Sequence, residues 1–222
     1  MKEKENLINA EKKAKNLFLS IKQENLIRPG ISEIQLGDEI YKLAFEMFGI
    51  KSFWHKRIIR AGINTIYPYS ENPKNLVIKE DDILFLDFGP IFNNWEADIG
   101  RTYVLGDDPY KLKLQSDVEE CWKISKNYFL NKQNVTASDM YKFVSKLATE
   151  RSWSFGNEHC GHLIGEFPHK RIKGEKINSY LHSENHLALK DHKQNNLFWI
   201  LEIHFVDYKK KIGGFYEQLL LT

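Results

Sequence analysis

Apolar residues recur at helical intervals over residues 3–26, where Leu7, Ala10, Ala14, Leu17, Phe18 and Ile21 fall on one face. Pro29 and Gly30 break that run, since neither residue continues a helix well. Ser32 opens a second helix: its spacing to Gln35 makes a capping box, and Ile40, Leu43, Ala44 and Met47 turn inward until Gly49 ends it. After a turn at Gly106 to Pro109, the same periodicity predicts a helix over 110–130, with Val118, Cys121, Trp122, Ser125 and Phe129 on one side. A fourth helix over 138–151 presents Tyr141, Val144, Leu147 and Ala148.

Strand signals fill the gaps between these helices. They fall at 57–61, at 83–88, around His162, at 197–206 and at 212–221. Each half of the chain thus reads as two helices followed by a hairpin. That order predicts an internally duplicated α+β fold, with helices covering one face of a curved antiparallel sheet. At 222 residues the chain is long enough for one sizeable core, and it reads as a single domain over 1–222. The polar segment 182–196 reads as an exposed excursion.

Five residues interrupt the apolar strand pattern: Asp87, Asp98, His162, Glu202 and Glu217. An unpaired charge in such a stretch is costly, so a cationic partner is expected inside, and a pair of divalent metal ions meets that need. A hairpin folded about Phe92 and Asn93 sets Asp87 opposite Asp98. Glu202 and Glu217 are symmetric about Lys209 and Lys210, which sets them opposite each other as well.

Charge narrows the function classes. With 32 basic against 30 acidic residues, and the lysines scattered, the chain has no footprint for nucleic acid or an anionic membrane. The first fifteen residues are too charged for a signal peptide, and no apolar run approaches a membrane span. Two cysteines, Cys121 and Cys160, offer no disulfide framework and suit a reducing compartment, so a cytoplasmic location is expected.

The order of the five residues, with Asp98 eleven positions after Asp87, His162 inside a Gly-His-x-x-Gly motif and two late glutamates, resembles the pita-bread metallopeptidases, the family of methionine aminopeptidase, aminopeptidase P and prolidase. The resemblance implies a dinuclear centre in which Asp87 chelates one ion, Asp98 and Glu217 bridge both, and His162 and Glu202 complete the other shell. Manganese is the first expectation, with cobalt, zinc and iron equally compatible with an oxygen-rich shell holding one imidazole. The implied activity is that of an Xaa-Pro aminopeptidase-like hydrolase, using a water shared by the two ions on a short peptide or small amide. Glu202 would shuttle the proton. His169, seven residues after His162, would stabilise the substrate oxyanion.

Other residues have smaller roles in this reading. Thr102 is a candidate partner for a ligand carboxylate. His204 shares a strand face with Glu202, so it either lines the pocket or is a satisfied core histidine. His55, His159, His182, His186 and His192 read as solvent-exposed, and Cys160 lacks the partners that a thiol nucleophile needs.

The chain also departs from the family pattern. Pro68 or Tyr69 stands where the proline-specific enzymes place a substrate-holding histidine, and Glu202 is followed by Ile203 and His204 rather than Pro-Gly. No arginine stands just before Glu217 in GGFYEQ, and the N-terminal domain of the larger relatives has no counterpart in this reading. A rebuilt specificity pocket follows, with a homodimer partner as one way to supply a missing wall. The alternatives are a methionine aminopeptidase-like enzyme, a relative acting on a non-peptide substrate, and a non-catalytic binding module that keeps the fold.

Overall fold

The computed structural model describes residues 2–190 and 197–221. Among these described residues four α-helices form: α1 (Lys2–Gln23), α2 (Glu33–Phe48), α3 (Pro109–Asn131) and α4 (Ala137–Glu150). Their ends follow local chemistry. Ser32 and Gln35 close the expected capping box on α2, whose C-terminal Gly49 takes the left-handed conformation at φ 68°. Asp108 caps α3 ahead of Pro109, and Thr136 with Asp139 makes a second capping box on α4.

Ten strands among the described residues accompany them: β1 (Ile58–Ala61), β2 (Ile83–Phe88), β3 (Ile91–Phe92), β4 (Trp95–Glu96), β5 (Ile99–Val104), β6 (Ser154–Phe155), β7 (His159–Ile164), β8 (Tyr180–His182), β9 (Phe198–Asp207) and β10 (Ile212–Leu220). The main sheet runs β1-β2-β5-β10-β9-β7-β8, with β6 against β9, and every pairing is antiparallel. Strands β3 and β4 form a separate ribbon. The sheet is nearly symmetric about the β5–β10 seam: the first half supplies β1, β2 and β5, the second β7, β9 and β10. This is the duplicated pita-bread arrangement expected from the sequence.

Strand alternation assigns the two faces. Leu84, Leu86 and Phe88 pack with Leu17, Ile21, Leu36 and Ile40 of α1 and α2. Leu201, Ile203 and Phe205 pack with Val118, Trp122, Val144 and Leu147 of α3 and α4. Each such large apolar side chain contributes about 1.5–3 kcal/mol on burial. The opposite face therefore carries Asp87, Glu202 and Glu217, because neighbours in a strand point to opposite sides.

Two expectations need correction. The Asp hairpin turns about Asn93 and Asn94, which both take positive φ (51° and 67°), so Phe92 pairs with Trp95. A two-residue loop of this kind needs a residue tolerant of the left-handed region at both positions, and Phe92 is not one. The register shifts accordingly: Asp87 lies opposite Gly100, and Asp98 sits diagonally, two positions along. The segment after β8 is also less exposed than expected. The carbonyls of Asn185 and Leu187 accept the N–H groups of Ser138 and Ala137 at the start of α4, and Asn185 is buried. Residues 191–196, including His192, lie outside the described residues.

Candidate metal centre

Four acids and several histidines meet on the face turned away from the helices. One row across the sheet reads Asp87, Gly100, Glu217, Glu202, on β2, β5, β10 and β9 in turn, with Glu217 directly opposite Glu202 as the sequence symmetry requires. Asp98 joins from the entry to β5. His162 on β7 places Nε2 at 3.2 Å from Asp98 Oδ2 and 3.5 Å from Glu217 Oε1. The five residues singled out from the sequence thus converge, all four acids being nearly fully buried.

The sequence reading missed two further imidazoles. His55 is buried, not exposed: its side chain is 7% accessible, and Nε2 lies 3.1 Å from Asp98 Oδ1 and 3.6 Å from Asp87 Oδ1. His159 places Nδ1 at 3.0 Å from Glu202 Oε1, off the line of a good hydrogen bond, while Asn157 Nδ2 donates to the same oxygen at 2.7 Å. On a regular strand His159 and His162, three apart, would face opposite ways. The β7–β8 register shifts between them, and Gly161 at φ 150° approaches β9 so closely that a Cβ would strike the Ile200 carbonyl. This irregularity turns both rings toward the acids.

Burial and mutual repulsion govern the electrostatics. Burial and the carboxylates of Asp98 and Asp87 push the Glu217 carboxyl well above the usual range. Burial raises Asp87 to about 7, against the pull of His55. At Asp98 the opposite holds: burial disfavours the charge, but His55 and His162 outweigh it and bring the carboxyl down to about 2. Burial likewise opposes ionisation of Glu202, and His159, with His162 and Glu217, more than offsets it. The acids overcome the desolvation of His55 and raise it to about 9. Without metal, the centre keeps protons where a stronger cation could sit.

A metal fits this donor set. Asp87 Oδ1 and Glu217 Oε2 are buried with no hydrogen-bond partner, a costly state unless a cation completes them. The groups His55, Asp87, Asp98 and Asp98, His162, Glu217 each bring three ligand atoms within 4.8 Å of one another. Oxygen-rich shells with imidazole suit Mn²⁺, Fe²⁺, Co²⁺ and Zn²⁺.

The acids open into a cavity of about 450 Å³, walled by Trp54, Tyr69, Phe167, Pro168, Arg171 and Tyr180. Tyr69 lines it, whereas the Pro68 carbonyl is turned to Arg60. His169 is also on this wall. Its Nδ1 lies 2.7 Å from Glu96 Oε2 and its backbone N–H donates to Glu96 Oε1 at 3.2 Å. Glu96, 1% exposed, was not anticipated, because its partners come from a loop some seventy residues away.

Three other candidates fall outside the centre. Thr102 does not reach a ligand carboxylate; its hydroxyl donates to the Phe215 carbonyl and accepts the Phe215 N–H. His204 is the satisfied core histidine, with Nε2 2.9 Å from the Thr65 carbonyl. Cys160 is fully buried, and burial raises its thiol well above the ordinary value, away from nucleophilic use.

Known proteins resemble this chain in sequence and in fold. Over 149 residues the chain is 26% identical to methionine aminopeptidase 1 of Saccharomyces cerevisiae, covering 64% of this chain and 38% of that protein. The Xaa-Pro dipeptidase of Bacillus anthracis superposes with a TM-score of 0.79 at 24% identity, covering all of this chain and 58% of the other. The methionine aminopeptidase of Rickettsia prowazekii gives 0.70 at 17% identity, covering 96% and 90%. These structural likenesses show the fold, and the chain spans well under two thirds of the yeast protein's length. No helix among the described residues is long and apolar enough to cross a membrane. The model of metallopeptidase family M24 matches residues 5–198, most of the sequence, and the chain belongs to that family.

Proposed function

We propose that this protein is a dinuclear metal-dependent hydrolase that cleaves an amide bond near the N-terminus of a short peptide, most similar to the Xaa-Pro aminopeptidases. The observation that carries this reading is the convergence of Asp87, Asp98, His162, Glu202 and Glu217 beside a cavity, with two carboxylate oxygens buried and unpartnered. Asp87, Asp98, His162, Glu202 and Glu217 would hold the ions, with Asp98 and Glu217 central. Bound there, the ions supply Lewis-acid polarisation of a carbonyl and a hydroxide at neutral pH; manganese remains the first choice.

The remaining chemistry belongs to the chain. Glu202 accepts the proton released on attack and returns it to the leaving amine, and Asn157 and His159 hold its carboxylate in place. His169, steadied by Glu96, faces the developing oxyanion. Trp54, Tyr69 and Phe167 exclude water from the reacting bond. A non-peptide amide is the second reading, favoured by Tyr69 in the place of a substrate-holding histidine.

The test is metal analysis followed by an activity screen on the same preparation. Metal-stripped protein is reloaded with Mn²⁺, Co²⁺, Zn²⁺ or Fe²⁺ and offered peptides with proline or methionine near the N-terminus, alongside non-peptide amides. Two bound ions and cleavage of the proline peptides are expected, with Asp98→Ala losing both. A chain that takes up none of these ions would instead be a binding module.

A further inference from the structure

His55 is the buried group that the five-residue ligand set leaves without a task. We infer that His55 is itself a metal ligand, completing with Asp87 and Asp98 a site matched to the one formed by His162, Asp98 and Glu217. This rests on the dinuclear reading above and deepens it: each ion would receive one imidazole, and Asp98 would lend one oxygen to each.

The two histidines are set up alike. His55 Nδ1 is 2.7 Å from the carbonyl of Lys56, its own neighbour in sequence, and His162 Nδ1 is 2.9 Å from the carbonyl of Leu163, its neighbour. A carbonyl accepts only, so Nδ1 must donate, and in the neutral ring the lone pair is left on Nε2. That is how metal-binding imidazoles are commonly oriented. Each Nε2 then faces two carboxylate oxygens: 3.1 and 3.6 Å for His55, 3.2 and 3.5 Å for His162. Atoms bound at about 2.1 Å to one ion stand roughly 3.0 Å apart along an octahedral edge and roughly 3.4 Å along a tetrahedral one, so both sets are close to ligation spacing.

Hydrogen bonding alone does not satisfy the His55 corner. One proton on Nε2 can serve Asp98 Oδ1, yet Asp87 Oδ1 remains buried with no partner. A divalent ion among the three atoms completes all of them. The backbone holds the ring for this task. The Trp54 N–H donates to the Gly89 carbonyl at 2.9 Å, the Trp54 indole N–H donates to the Ala97 carbonyl at 3.0 Å, and Phe53 bridges Pro90. Gly89 itself makes room, because a Cβ there would come within 2.5 Å of His55 Nε2.

A second imidazole has a chemical consequence. It moves the centre toward Co²⁺ and Zn²⁺ relative to Mn²⁺, since imidazole suits the former and carboxylate the latter. Removing His55 should therefore weaken Co²⁺ more than Mn²⁺.

The experiment uses the full chain, stripped of metal and titrated with Co²⁺ by calorimetry and visible absorption. Proton NMR of the loaded protein then looks for strongly shifted, solvent-exchangeable N–H signals from ligating imidazoles. In His55→Gln one of the two Co²⁺ equivalents should bind more weakly than the about tenfold to hundredfold loss typical of a residue outside the coordination shell. One shifted N–H signal should vanish, and a different one should vanish in His162→Ala. Two equivalents at wild-type affinity, with every shifted signal retained in His55→Gln, would overturn the assignment. If the variant does not fold, the wild-type spectrum decides, because a single exchangeable shifted signal leaves only one imidazole on metal. Wild-type protein that binds no Co²⁺ would instead remove the dinuclear reading itself.

Discussion

Replacing Glu217 by glutamine should make the metal-free protein more stable and the metal-loaded protein no better. Glu217 is 2% exposed, its Oε2 has no hydrogen-bond partner, and it lies directly opposite Glu202 on the ladder. A buried unsatisfied polar atom costs about 1–3 kcal/mol. Ionising it opposite Glu202 would add about 0.2–1 kcal/mol. Glutamine keeps the shape, cannot ionise and brings N–H donors to a cluster of acceptors, so a gain of about 2 kcal/mol is expected in the absence of metal. For a chain of this size that is a rise of about 4–8 °C in unfolding temperature. The direction of the pKa agrees: burial with Asp98 and Asp87 raises the Glu217 carboxyl, so the folded state binds more protons than the unfolded chain. Its contribution to stability therefore falls as pH rises above the ordinary carboxylate range. Wild-type protein should gain about 2.7 kcal/mol from metal at a hundred times its dissociation constant, and the variant should gain far less. Thermal unfolding of both proteins, with chelator and with metal, gives all four numbers. A stripped Glu217→Gln protein that melts at or below wild type, or one that gains as much from metal, would refute the claim that these buried acids are arranged to hold a cation.

Glu96→Gln should lower turnover about a hundredfold while leaving metal uptake unchanged, because it loosens His169 without touching the ions. Equal turnover in Glu96→Gln and wild type would place His169 outside the reaction. Away from the site, Asp117 ties α3 to α4 by accepting from Arg151 at 2.8 Å, Trp153 at 2.6 Å and Lys113 at 2.5 Å. Burial opposes its charge, but these partners outweigh it and lower its pKa. The stability it adds is thus present above the ordinary value of 3.8 and is lost as pH falls through the lowered one. Asp117→Asn should cost about 2 kcal/mol at neutral pH, measured by urea unfolding, and the gap should close below about pH 4; a gap that does not change with pH would contradict the ion-pair account.

What could be read from the sequence depended on how local its cause was. The start of α2 was legible because Ser32 and Gln35 satisfy each other within one turn. The Glu hairpin was legible because its two acids are equidistant from a polar loop, and the ladder keeps that symmetry. The Asp hairpin was misread by one residue of axis, since the turn is chosen by positive φ at Asn93 and Asn94 and not by the spacing of the acids. His55 left no periodic signal: it precedes β1 in irregular chain, and its meaning depends on Asp98, forty-three residues on. His159 was hidden because strand alternation, correctly applied, points it away from His162 until the break at Gly161 reverses it. Glu96 and Asn157 likewise acquire roles only through contacts with distant residues.

The duplication explains why the centre is lopsided. Related by the near-symmetry of the sheet, Asp87 of β2 corresponds to Glu202 of β9, and Gly100 of β5 corresponds to Glu217 of β10. Each half therefore offers an acid on the hairpin strand one removed from the seam, but only the second adds another at the seam. Asp98, just outside the regular ladder of the first half, makes up the difference from the diagonal position. The acids thus sit on or beside paired strands that have little freedom to move, with spacing fixed by the ladder. Most of the cavity wall has a different origin. Trp54, Tyr69, Phe167, Pro168 and Arg171 all come from connecting segments, where substitutions alter shape without disturbing the sheet. The division has a physical consequence for the proposed function: replacement of Tyr69 would reshape the cavity while the carboxylates stay in register, so a change in the substrate accepted and retention of the metal centre are compatible outcomes of the same fold.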